Sequence, residues 1–508
     1  MALRVAFIAA ECEPWAKTGG LGDVVDALAR ALGQPTGASD GQALAAPVDV
    51  YLPRYRSVPV PDAAARRPPM RLAVPDPLAA GGTTDVGIID VEADGYRLRL
   101  VDHPPAFDRA GFYGDDADYP DNPWRFGLFS RAALEAMRAD DRPVDVIHVH
   151  DWHACPAILL RDRWYVADPV LGPAATVLTL HNLAYHGWMP REAIGLLGLA
   201  PGDGIVEAGA DGLDLLKAGI TRVDVANTVS PGYAREALTP DFGFGLQGVL
   251  AAKRDRFVGI LNGIDTRLWD PATDAALAAN YSRIARAGKA ECRRDLLDRV
   301  GFDREDRAPV LATIGRLDPQ KGFDLLADAA PALLELGARI VVLGAGDRRI
   351  TASLRDLATR RPAAVALLER FDRDMARRIY AGADLFLMPS RFEPCGQGQM
   401  ISLRYGTPPI VHATGGLRDS VVDVATAPAA GTGWVFDRPT AQALTATCAA
   451  AIEACAAGGA AWQALLDRGM AVDFDWASGS APAYAELYER AIALRAADRP
   501  GSAAANGR

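Results

Sequence analysis

Short apolar runs recur along this chain, each followed by a polar loop and separated from the next by amphipathic stretches of helical period. Runs at 5–10, 144–149, 176–180 and 223–229 lie in the first half, and runs at 309–314, 338–343, 385–388 and 409–411 in the second. A strand apolar on both faces has to be covered on both faces, and helices between successive strands are the covers. The spacing predicts an α/β chain with parallel sheets, and 508 residues exceed what one core holds. Two doubly wound units are therefore expected. Their boundary is expected near Val258 to Trp269, dividing 1–257 from 258–472, with a polar connector at 271–288. A helical stretch at 473–495 then precedes a Gly/Ala/Ser-rich end at 496–508, expected to be flexible. Stretches 33–47 and 57–85, rich in Pro, Ala and Gly, are expected to be surface loops.

Charge and cysteine usage narrow the partners. A net charge of −10 argues against a nucleic-acid surface, though a few local cations suffice for a small anion. Six cysteines show no C-x-x-C spacing, so neither a disulfide framework nor a zinc site is expected, and a reducing cytoplasm is. No charged segment leads into a long apolar one near the start, and no apolar stretch approaches the ~20 residues of a spanning helix, so no membrane partner is expected.

Ligands of open α/β sheets bind beyond the carboxyl ends of the strands. The turn Lys17-Thr18-Gly19-Gly20-Leu21-Gly22 follows the first run and opens a helix, a recipe for bringing backbone N–H groups to an anion. It fits neither G-x-G-x-x-G nor the P-loop spacing, and it suits a tight strand–helix connection equally well. His150-Asp151-Trp152-His153 and His181-Asn182 follow later runs, as do Gly315-Arg316 with Gln320-Lys321-Gly322, Ser390-Arg391-Phe392-Glu393-Pro394-Cys395-Gly396 and Thr414-Gly415-Gly416. Both halves carry polar loops at the same end of their sheets, which predicts a site in a deep cleft between the units.

Such an inventory suits transfer of a sugar from a nucleotide diphosphate. Arg316 and Lys321 can neutralise a diphosphate whose charge grows as the bond breaks, and Thr414-Gly415-Gly416 can add backbone donors. Glu393 can hold sugar hydroxyls or offset oxocarbenium charge, and Phe371 offers a stacking face. Each residue has a structural alternative: His153 as a backbone cap, Arg316 and Lys321 as solvated cations, Cys395 as a buried filler, Trp152 and Trp269 as core.

Taken together, the motifs resemble one family, bacterial glycogen synthase and plant starch synthase, retaining glucosyltransferases of the GT-B fold. The matching segments begin with Lys17-Thr18-Gly19-Gly20-Leu21-Gly22-Asp23-Val24, His150-Asp151-Trp152-His153 and His181-Asn182-Leu183-Ala184-Tyr185. Thr228-Val229-Ser230-Pro231-Gly232-Tyr233 and Leu261-Asn262-Gly263-Ile264-Asp265 follow. Gly315-Arg316-Leu317, Gln320-Lys321-Gly322, Ser390 to Gly396 and Arg404-Tyr405-Gly406-Thr407 complete the set, in family order from about residue 4 to residue 490.

The resemblance implies a GT-B fold of two Rossmann-like domains, with 473–495 returning to the N-terminal one. It implies transfer of glucose from ADP-glucose to the non-reducing 4-hydroxyl of an α-1,4-glucan such as glycogen, with retention and with neither cofactor nor metal. Arg316 and Lys321 match the diphosphate clamp, and Glu393 with the backbone of Cys395 and Gly396 matches the acidic loop that binds the glucosyl unit. His181 and Asn262 match glucosyl contacts, with the His181 carbonyl near the anomeric carbon. Lys17 and Gly20 match the donor loop, Asp23 and Asp151 further site carboxylates, Tyr113 an acceptor-side tyrosine and Phe371 an aromatic near adenine.

This chain departs from the family at Gln397-Gly398-Gln399, where Leu-Thr-Gln is usual; Gly398 keeps a backbone N–H but lacks the hydroxyl. His412 and Arg418 also replace commoner residues and are expected to retune phosphate contacts. Ile401 stands where many UDP-glucose-using relatives carry a second glutamate. The competing expectations are a related retaining transferase using UDP-glucose or another acceptor, and a catalytically weakened glucan-binding protein.

Overall fold

A computed structural model of the chain describes residues 2–498 apart from 35–42, 46, 116, 141, 203, 207–208 and 210–211. Most of the loop expected at 33–47 and the end of the tail expected at 496–508 lie outside the described residues. Two compact units emerge: one comprises 1–229, 234–260 and 476–508, the other 230–233 and 261–475. Apart from the short excursion at 230–233, the chain passes to the second unit after Ile260 and returns to the first after Asp475.

In the first unit the strands are β1 Val5–Ile8, β2 Val48–Pro53, β3 Met70–Pro75, β4 Thr83–Glu92, β5 Tyr96–Asp102, β6 Val146–His150 and β7 Ala175–Leu180, then β8 Trp188–Met189, β9 Leu213–Asp214, β10 Val225–Thr228 and β11 Phe257–Gly259. β8 and β9 form a separate ribbon, and the others form one sheet in the order β11-β10-β7-β6-β1-β2-β5-β4-β3. From β11 to β5 every pairing is parallel, whereas β5, β4 and β3 pair antiparallel. Strands β3 and β4 overturn the expectation of loops at 57–85. The cause is visible in β3, which alternates exposed and covered residues at the sheet edge and so never presents an unbroken apolar run.

The second unit holds β12 Val310–Ile314, β13 Arg339–Leu343, β14 Val365–Leu368, β15 Leu385–Met388, β16 Pro409–His412 and β17 Trp434–Phe436, ordered β14-β13-β12-β15-β16-β17 and parallel throughout. Alternate side chains feed two cores. Leu311, Ile340, Val342 and Leu385 pack with Leu326 and Leu333 of the helix Phe323–Glu335, and with Leu444 and Ile452 of the helix Ala441–Ala457. Val310, Ala312 and Val341 face Leu296, Leu297 and Ile379 on the other side. Each such leucine or isoleucine contributes about 1.5–3 kcal/mol by leaving water, so both faces are firmly covered.

The connector at 271–288 has no strand, as expected, but it is pinned rather than loose. Tyr405 donates its hydroxyl to the buried Asp274 at 2.6 Å, and Tyr281 donates to the Tyr405 carbonyl at 2.8 Å. The C-terminal helix Ala481–Ala497 belongs to the first unit, with Tyr484 and Tyr488 fully buried. Asn227 Nδ2 donates to the Tyr484 hydroxyl at 3.1 Å, and the Tyr488 hydroxyl lies 2.9 Å from His148 Nδ1. Among the described residues no single helix is long and apolar enough to cross a membrane.

Candidate active site

The glycine-rich turn of the first unit is organised by a residue outside the motif. Glu11, three residues past β1 and 4% exposed, accepts the Thr18 amide and hydroxyl at 2.6 Å each and the Gly19 amide at 3.0 Å. Tyr113 donates its hydroxyl at 2.6 Å to Glu11 Oε1, the same oxygen that takes the Thr18 hydroxyl, while both amides go to Oε2. This corrects the picture of the turn as an open anion cradle: two of its amides already face a carboxylate, which would repel a phosphate. Lys17 pairs with Asp23 at 2.5 Å and lies 3.7 Å from Glu13. Gly20 begins the helix Gly20–Gly33, and nothing stands within 4 Å of where a Cβ would be. Internal packing therefore does not require a glycine there.

Behind Tyr113 lies a stack: His153 is 4.4 Å from the Tyr113 ring and 3.9 Å from the Trp152 ring. Burial pushes the His153 pKa down to about 3, which suits a neutral packed ring. Asp151 opens the helix Asp151–Trp164 with φ +55°, in the left-handed region that costs a non-glycine residue about 1–3 kcal/mol. Its Oδ1 accepts the His181 amide at 2.7 Å, fixing the backbone just past β7. Burial pushes the Asp151 carboxyl up to about 7, against the pull of the His181 and Asn182 amides. The His181 ring meets His150, its Nε2 lying 3.1 Å from His150 Nδ1, and burial holds its pKa down at about 3.

In the second unit the loops after β12 and β15 meet through charge. Lys321 donates from Nζ to Glu393 Oε2 at 2.6 Å, and Ser390 donates its hydroxyl to the same oxygen at 3.0 Å. Glu393 is 5% exposed, and its Oε1 has no protein partner among the described residues. Asp318 orders the other arm, accepting the Lys321 amide at 2.8 Å and Arg316 Nε at 2.6 Å. Gly322 sits at φ +71° with a would-be Cβ only 2.0 Å from the Pro389 carbonyl oxygen, so the two loops touch only because this residue is glycine.

Past Glu393 the chain is held by backbone packing. A Cβ on Gly415 would lie 2.1 Å from the Glu393 carbonyl oxygen and one on Gly416 2.3 Å from that of Cys395. Gly416 donates its amide to the Glu393 carbonyl at 3.2 Å, and Thr414 donates to His412 at 2.8 Å. The Thr414-Gly415-Gly416 turn therefore braces the Glu393 loop, and the Thr414 and Gly416 amides are not available to a phosphate. His412 and Arg418 likewise hold the loop instead of phosphate: His412 Nδ1 meets the Ser390 carbonyl and Arg418 donates to the Ala413 carbonyl, each at 2.8 Å. Burial raises the Cys395 thiol to about 12, which rules it out as a ready nucleophile, and the Asn262 amide hydrogen bonds to it. Asn262 Oδ1 is buried without a hydrogen-bond partner, a ready acceptor for a ligand hydroxyl. Gly398 begins the helix Gly398–Arg404, and a Cβ there would press on Phe386 at 3.1 Å and Met388 at 3.3 Å. Phe371, 83% exposed, stands apart in the turn after β14.

The family described as "Starch synthase catalytic domain" matches residues 4–252, and "Glycosyl transferases group 1" matches residues 297–456. A glycogen synthase of Anaeromyxobacter sp. (strain Fw109-5) is 42% identical over 489 residues, covering 96% of this chain and 99% of that one. The chain belongs to the glycogen synthase family. Another member, from Halorhodospira halophila (strain DSM 244 / SL1), is 42% identical over 508 residues, covering 97% and 100%. The catalytic domain of starch synthase IV from Arabidopsis thaliana, solved bound to ADP and acarbose, superposes with a TM-score of 0.85 at 34% identity, covering 97% of this chain and all 100% of that one. Membership makes the chain a glycosyltransferase with the GT-B fold anticipated from its motifs.

Glu11 and Asp318 stand outside the motifs read from the sequence, and Ser390 and Gln399 stand within them without an assigned role. Gln399 is fully buried and donates to the Cys395 and Gly396 carbonyls, each at 3.1 Å, and to Ser420 Oγ, at the end of the helix Gly415–Ser420, at 2.9 Å. Only position offered a clue: Ser390 and Asp318 lie in the polar loops after strands, whereas Glu11 and Gln399 read as ordinary polar residues.

Proposed function

We propose that the chain transfers glucose from ADP-glucose to the non-reducing 4-hydroxyl of an α-1,4-glucan, with retention at the anomeric carbon. The observation that carries this reading is the Lys321–Glu393 pair at 2.6 Å, with one carboxylate oxygen left open. A sugar donor carries a diphosphate for the ammonium and hydroxyls for the carboxylate, so one such pair suits both ends of the scissile bond. Arg316 adds a second, largely exposed cation for the leaving diphosphate. The relatives named glycogen synthase and the starch synthase bound to ADP and acarbose support the adenine nucleotide and the glucan class.

In this mechanism the bond from the anomeric carbon to the β-phosphate oxygen breaks and a bond to the acceptor 4-oxygen forms on the same face. The acceptor's proton passes to a β-phosphate oxygen, and ADP leaves. Glu393 orients the sugar and offsets oxocarbenium charge. His181 and Asn262 hold the glucosyl unit, backbone amides of Cys395, Gly396 and Gly398 face the diphosphate, and Phe371 covers the adenine. Lys17, Gly20, Asp23, Tyr113 and Asp151 serve the acceptor and the donor loop. Arg316 and Lys321 take the part a divalent metal plays in other transferases, so no cofactor or metal is required.

Glucose incorporation into glycogen, measured from ADP-glucose and UDP-glucose in parallel with EDTA present, tests this. Strong ADP-glucose-dependent transfer is expected. Preference for UDP-glucose would overturn the donor, loss of activity in EDTA would overturn the metal-free step, and no transfer from either would overturn the function.

A further inference from the structure

Three histidines lie in line at the ends of β6 and β7, and their hydrogen bonds have a direction. Thr179 donates its hydroxyl to Asn227 Oδ1 at 2.8 Å, so its oxygen accepts the Nε2 proton of His148 at 2.7 Å. His148 Nδ1 is then bare and accepts the Tyr488 hydroxyl at 2.9 Å. His148 therefore has no proton to offer its neighbour His150, although the two rings lie 4.2 Å apart.

His150 is fully buried between the rings of Phe7, His148 and His181. Its Nε2 has no hydrogen-bond partner, while its Nδ1 lies 3.1 Å from His181 Nε2. One of the two nitrogens carries the proton of a neutral ring. A buried N–H left without an acceptor costs more than a bare nitrogen left without a donor, so the proton belongs on Nδ1, where it is donated to His181. His181 Nε2 is thereby the acceptor, and the His181 proton is forced onto Nδ1, a nitrogen with no protein partner among the described residues.

We infer that His150 is a positioning residue: it locks His181 as the Nδ1–H tautomer and so presents an N–H donor to an oxygen of the sugar donor. This rests on the proposed placement of His181 in the glucosyl site, but the tautomer itself does not. Burial keeps His148, His150 and His181 neutral near pH 7, so each holds a single proton to place.

The test is nitrogen NMR of the imidazoles in the full chain, which has only seven histidines, with turnover measured alongside. His181 assigned by its loss in His181→Ala should carry its proton on Nδ1 in the wild type. In His150→Leu that preference should disappear and turnover should fall about tenfold, the worth of one such hydrogen bond. His150→Asn, which returns an N–H near the Nδ1 position, should restore both. Wild-type His181 protonated on Nε2 overturns the inference without any variant, as does an unchanged tautomer in His150→Leu. Full turnover in His181→Ala would instead overturn the placement of His181 in the site, leaving the tautomer result standing.

Discussion

Glu11 and Glu393 are both buried carboxylates a few residues past a parallel strand, 4% and 5% exposed, yet they are held in opposite ways. Glu11 is surrounded by neutral donors from Thr18, Gly19 and Tyr113 and has nothing left to offer. Glu393 takes a cation and one hydroxyl on a single oxygen, and the other oxygen is open. A buried carboxylate is thus not in itself a sign of chemistry. What distinguishes the two is the capacity left unsatisfied once the fold has been built.

Substituting each residue should separate the roles. Glu393→Gln is expected to cut turnover with ADP-glucose by about 10²–10³-fold, the usual cost of losing one transition-state contact, while the urea midpoint barely moves. Glu11→Ala should show the converse emphasis. About 1–3 kcal/mol of stability should disappear in urea unfolding as its donors lose their partner, with a smaller loss of turnover than in Glu393→Gln. Equal stability losses in the two variants would erase the contrast.

Asp151 sharpens it with pH. Its carboxyl rises from 3.8 to about 7 on burial. Between those values the folded chain keeps a proton that the unfolded chain releases, so this group's contribution to stability declines as pH rises and levels off above about 7. Asp151→Asn removes the titration, and its urea midpoint should gain on wild type between pH 5 and pH 8. A constant difference would mean that Asp151 is ionised throughout this range.

The smallest effect separates two glycines. Gly20→Ala meets open space and should leave stability within about 0.5 kcal/mol. Gly322→Ala, at φ +71° against the Pro389 carbonyl, should lose about 1–3 kcal/mol. Any loss of turnover in Gly20→Ala then reports a ligand approaching that surface, and unchanged turnover would remove Gly20 from the site.

The sheets were legible wherever a strand is apolar on both faces, as at β12, β13 and β15. Strand β3 was not, because it lies at the sheet edge and exposes alternate residues, and β4 beside it opens with the polar run Thr83, Thr84 and Asp85. Arg316, Lys321 and Glu393 could be read as a group because they lie in the loops that follow β12 and β15. Glu11 could not, since its partner Tyr113 is 102 positions away and only folding brings them together. Thr414-Gly415-Gly416 was legible as important but not for the right reason. Its glycines permit backbone contact with Glu393 and Cys395, a requirement that a glycine pair does not distinguish from anion binding.

The most direct test of the account is the rate of ADP-glucose consumption in the presence of saturating glycogen, compared between wild type and Glu393→Gln. Fast, glycogen-dependent consumption is expected from the wild type, and a drop of about 10²–10³-fold in a variant that unfolds at the same urea concentration. Near-equal rates in the two folded proteins would contradict it, because the open oxygen of Glu393 would then have no part in the transfer.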